Sequence, residues 1–65
     1  MTSEAADGGH EVCFEFTVIG RTVKVSAIDV TTGLEVSVIG PATAAQADLR
    51  RLALQKLKAR LAADR

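Results

Sequence analysis

Sixty-five residues set the first limit: one domain, near the lower end of what a lone hydrophobic core can stabilise. Cys13 is the sole cysteine, which excludes an internal disulfide and a zinc site built on clustered cysteines, two usual supports of small folds. Charge is balanced overall but not along the chain: residues 1–42 carry two basic residues against six acidic, residues 43–65 six against two.

The first ten residues, MTSEAADGGH, contain acidic residues, small residues and glycine but almost nothing apolar and bulky. Such a composition buries too little to offset ordering entropy, and residues 1–10 read as a disordered tail ahead of a single domain over 11–65. Apolar runs are only a few residues long throughout. The sequence therefore predicts neither a signal peptide nor a membrane span, and points to a cytoplasmic protein.

From residue 12 to residue 39 the apolar pattern has period two. "VCFEFTVI" puts Val12, Phe14, Phe16 and Val18 on one face of a strand, with Cys13, Glu15, Thr17 and Ile19 on the other. "TVKVSAID" puts Val23, Val25 and Ala27 on one face of the next, with Thr22, Lys24, Ser26 and Ile28 on the other. Gly20 and Arg21 between them suit a two-residue type II′ hairpin, which pairs Val18 with Val23, Phe16 with Val25 and Phe14 with Ala27. In "DVTTGLEV" a three-residue loop would turn Val36 and Val38 to the wrong face. A four-residue loop of Val30, Thr31, Thr32 and Gly33 pairs Ala27 with Val36 and Val25 with Val38. Gly33 then supplies the positive φ that closes such a loop, and Asp29 accepts from the backbone ahead of it.

"GPAT" ends the sheet, because Pro41 has no ladder donor. Thr43 with Gln46 three residues on forms a capping box, and residues 44 to about 63 read as a helix free of Gly and Pro. The fold class is α+β: a three-stranded antiparallel meander packed by one C-terminal helix, β-β-β-α. The predicted core is Phe14, Phe16, Val25, Val38, Leu49, Leu52 and Ala53.

On that helix, Ala45, Leu49, Leu52 and Ala53 form one apolar stripe. Leu54, Leu57 and Leu61 form a second, about 100° further round. One small sheet covers one stripe, so Leu54, Leu57 and Leu61 are expected at the contact of a homodimer. The second sheet face, with Cys13, Ile19, Ile28 and Ile39, is another place for subunits to meet, and a tetramer would use both.

The segment from residue 11 to about residue 61 resembles a group of short, uncharacterised bacterial proteins that share a domain of unknown function. The resemblance lies in "FEF", "VKVSAIDVTTGLEVSVIGPATA" and the basic, leucine-bearing helix. Those strings are strand alternation, a turn and a helix start, so the resemblance implies an independent folding unit and no activity.

Groups for chemistry are few. His10, Glu11 and Cys13 lie close in sequence, but at strand spacing His10 and Cys13 point to opposite faces, and zinc needs three or four ligands. Cys13 lacks a positioned base. Glu15 and Glu35 flank Lys24 as a cross-strand charge pattern rather than an acid/base pair. No catalytic residue, metal site or cofactor is expected. Arg51, Lys58 and Arg65 recur every seven residues and make one basic ridge, the basis of an alternative reading as a nucleic-acid binder. The leading expectation is a non-enzymatic homodimeric interaction module, with an unidentified protein as a further partner.

Overall fold

A computed structural model describes residues 11–63 in full and the backbone of residues 2–5. The chain runs β1 (Thr2–Ala5), β2 (Glu11–Ile19), β3 (Thr22–Asp29), β4 (Glu35–Pro41) and α1 (Gln46–Ala63). The strands form one antiparallel sheet in the order β1-β2-β3-β4, and α1 lies over β3 and β4.

Turn chemistry fixes the register. Gly20 has φ +59° while no other kind of residue has positive φ among the described residues, so Arg21 stays on the negative side. That alternation of sign belongs to the type II′ turn, whose twist matches the flanking strands. The Thr22 hydroxyl donates to Ile19 O at 2.8 Å and helps close the turn. Val18 pairs with Val23, Phe16 with Val25 and Phe14 with Ala27, as the alternation requires.

The second hairpin closes around four residues, with Asp29 N donating to Leu34 O at 2.8 Å. Ala27 faces Val36 and Val25 faces Val38. Gly33 has φ +78°, and its N–H donates to Asp29 O at 2.7 Å. The Asp29 carboxylate is fully buried. Its Oδ2 accepts from the Thr32 N–H at 3.1 Å and the Thr32 hydroxyl at 2.6 Å. Leu34 N in turn donates to Thr32 Oγ1 at 3.2 Å. A short acidic side chain thus supplies the acceptor that the tight loop backbone lacks.

The meander is longer than expected by one strand. Residues 1–10 read as a tail on composition, yet Thr2–Ala5 pairs with β2, setting Thr2 opposite Phe14 and Ala5 opposite Glu11. Edge pairing draws on backbone groups and needs no apolar side chain, so composition is blind to it.

The helix begins at Gln46, two residues later than a Thr43 cap would place it. Ala44 N donates to Pro41 O at 2.9 Å, so the chain makes a turn first. Ala45 then takes the capping position, its carbonyl accepting from Asp48 N at 3.0 Å and Leu49 N at 3.2 Å. Asp48 in the first turn and Arg60 in the last complement the helix dipole.

The buried face of α1 corrects the two-stripe reading. Leu49, Ala53 and Leu57 are buried and Leu61 is half-buried against them. These residues are four apart, so they form a single i±4n row that slants across the helix surface. A twisted sheet meets such a slanted row better than a stripe parallel to the helix axis. Leu52, three residues from Leu49, falls off the row and is 50% exposed, whereas Leu57 is 0% exposed. The core is Val12, Phe14, Val23, Val25, Ala27, Val36, Leu49, Ala53 and Leu57, with Phe16 and Val38 packed at its margin. Gly40 makes room for it: a Cβ there would lie 2.5 Å from Leu49 Cδ2.

Candidate interaction surfaces

With α1 covering one face of the sheet, the other face is open. Register places Cys13, Ile28 and Glu35 in one row across it, then Glu15, Ser26 and Ser37, then Thr17, Lys24 and Ile39. Ile39 is 70% exposed and Ile19 60%, while Ile28 and Cys13 are half-buried. Ser26, in the middle, is buried, and its hydroxyl lies 3.0 Å from that of Ser37. Glu15 is the diagonal neighbour of Lys24, whereas Glu35 lies opposite Ile28, two rows further along the face, and all three side chains are exposed. The isoleucines of this face are thus interspersed with Lys24, Glu15, Glu35 and the two serines.

The helix offers less than its leucines suggested. Leu57, expected at a subunit contact, is inside the protomer, and Leu54 and Leu61 pack against the same core from its flank. The sheet already covers this set, because the slanted row merges the two expected stripes into one. Among the described residues the exposed leucine is Leu52, one helical turn before Lys56. Beside it, Lys56 Nζ donates to the backbone carbonyl of Ser37 at 2.8 Å. Hydrogen-bonded pairs alternate along an antiparallel ladder, and Asp29 and Leu34 form one such pair, so Ser26 and Ser37 do not. Ser37 O therefore points outward from the free edge of β4, and Lys56 occupies it.

Arg51 and Lys58 share a line on α1, as their spacing requires. Arg51 Nη2 lies 2.9 Å from Asp48 Oδ1 in an exposed pair, and Lys58 is half-buried. Arg65 and His10 lie outside the described residues. Among the described residues no three His, Cys, Asp or Glu side chains are grouped to hold a metal. No described helix is long and apolar enough to cross a membrane.

One contact was not foreseen. Arg50 places its guanidinium 5.9 Å from the centre of the Phe14 ring, a cation–π distance. With Phe16, Gln46 and Ala47 it lines an open depression of about 230 Å³. Drug-sized ligands occupy enclosed pockets of roughly 300–1,000 Å³, so this is surface relief. Only the one-turn spacing of Gln46 and Arg50 on a helix hints at it in the sequence.

Residues 9–64 match the family described as "Domain of unknown function (DUF6898)". The chain belongs to that family. The matched span takes in β2, β3, β4 and α1 and leaves β1 outside it. Comparison with curated proteins and with solved structures finds no match.

Proposed function

We propose that this member of the family is a non-enzymatic interaction module that works in the cytoplasm as a homodimer, with the open face of its sheet as the contact. The observation that carries the reading is the exposure of Ile39 and Ile19 on a face that also presents Ile28 and Cys13. A second copy brings the same isoleucines and the same interspersed charges, and a twofold contact needs only one self-complementary surface. Covering large aliphatic side chains contributes about 1.5–3 kcal/mol each, large beside the stability of so small a domain. The non-enzymatic part is supported by the titratable groups of that face: Glu15, Lys24 and Glu35 are exposed, where water screens their charges. A reducing cytoplasm would keep Cys13 a thiol, free to pack at the contact.

Sedimentation equilibrium tests the reading. Wild-type protein is expected to dimerise, and Ile39→Lys to be a monomer with an unchanged circular dichroism spectrum. A wild-type chain that stays monomeric at millimolar concentration would refute the dimer.

A further inference from the structure

The two edges of the family's three-stranded unit are treated differently. At the β4 edge, Lys56 occupies the outward carbonyl of Ser37, and the strand ends at Pro41, which has no N–H to offer. At the β2 edge the structure instead seats another strand, β1, which lies outside the span matched to the family. Val30 N donates to Glu11 O, so hydrogen-bonded pairs between β2 and β3 alternate from Glu11. The N–H and C=O groups of Val12 and Phe14 consequently point away from β3 and toward β1. The β2 edge is thus a strand-docking site with a defined register.

We infer that the β2 edge exchanges strands between copies, the N-terminal strand of one chain docking on β2 of a second. The occupant fits because it is the same sequence in the same register: Thr2 opposite Phe14, Ser3 opposite Cys13, Glu4 opposite Val12. A swapped strand keeps every backbone bond of the unswapped one, which makes exchange an inexpensive route to association. In sequence, Gly8 and Gly9 stand between β1 and β2, residues that leave a backbone the widest choice of path. This site is separate from the open sheet face, and either can fail without the other.

The register supplies the test. Ser3 and Cys13 form a pair not joined by backbone hydrogen bonds, whose Cα atoms sit about 4.5 Å apart, within disulfide range. Full-length Ser3→Cys, retaining Cys13, is expected to form an internal link on oxidation at low concentration. Full-length Ser3→Cys/Cys13→Ser mixed with wild type can link only between chains. That mixture is expected to give a covalent heterodimer whose yield rises with concentration and exceeds an Arg21→Cys/Cys13→Ser control at least several-fold. The same cross-link should persist when both chains carry Ile39→Lys, which separates it from the sheet-face contact. An internal link with no heterodimer above the control would overturn the exchange, and no link of either kind would overturn the docking site itself.

Discussion

At the scale of single residues, the most informative side chain is Asp29. It is fully buried and bears a carboxylate that accepts from both the Thr32 N–H and the Thr32 hydroxyl. Asp29→Ala would leave the Thr32 donors without that acceptor and is expected to cost about 1–3 kcal/mol, read as a lower urea midpoint at unchanged slope. Asp29→Asn keeps an acceptor oxygen and should lose less. Leu57 and Leu52 make a sharper contrast, since sequence periodicity assigned their roles the wrong way round. Leu57→Ala empties a fully buried site and should cost about 2–5 kcal/mol. Leu52→Ala removes a half-solvated side chain and should cost well under about 1.5 kcal/mol. Equal losses in a denaturant titration would mean that the helix sits rotated from the orientation described. Gly40→Ala drives a methyl group into Leu49 and belongs with overpacking changes, about 1–3 kcal/mol.

At the scale of elements, the strands were legible and the helix face was not. Period two, one Gly at each turn and the need to keep Phe14, Phe16, Val25, Val36 and Val38 on one side together leave a single register for β2, β3 and β4. A one-residue slip would invert a whole strand, so the pattern itself carries the answer. A helix has no such parity. Its apolar residues fall into stripes whose grouping depends on the angle at which it crosses a twisted sheet, and that angle is set by tertiary packing. Hence the fate of Leu52 and Leu57 could not be read from spacing, and neither could β1, whose pairing uses backbone groups. Exposure of the sheet-face isoleucines was legible, because alternation alone puts Ile19 and Ile39 opposite the helix. The Lys56 contact has a consequence at this scale. Lys56→Ala should change unfolding free energy by less than about 1.5 kcal/mol, since one exposed hydrogen bond is lost. It should nevertheless promote edge-to-edge association on mild heating, seen as rising light scattering against a flat wild-type trace. An unchanged trace would show that Pro41 and the shortness of β4 suffice to protect the edge.

At the scale of the whole molecule, the question is whether a fold of 65 residues draws part of its stability from a second copy. One face of the sheet is covered by α1 and the other carries exposed isoleucines, so association and folding are linked if copies meet there. Linkage has a signature that no single-chain effect imitates. When the native state is a dimer and the unfolded state is not, mass action ties apparent stability to protein concentration. A tenfold rise in concentration is worth about 1.4 kcal/mol per dimer. Shared between two protomers of this size, that is a rise of a few degrees in Tm. Wild-type Tm is therefore expected to climb steadily over a hundredfold concentration series in scanning calorimetry. The Ile39→Lys curve should be flat, and should lie below that of wild type by a margin that widens with concentration. Flat curves for both proteins would locate all the stability within one protomer, and would leave the isoleucines of the open face with no part in folding.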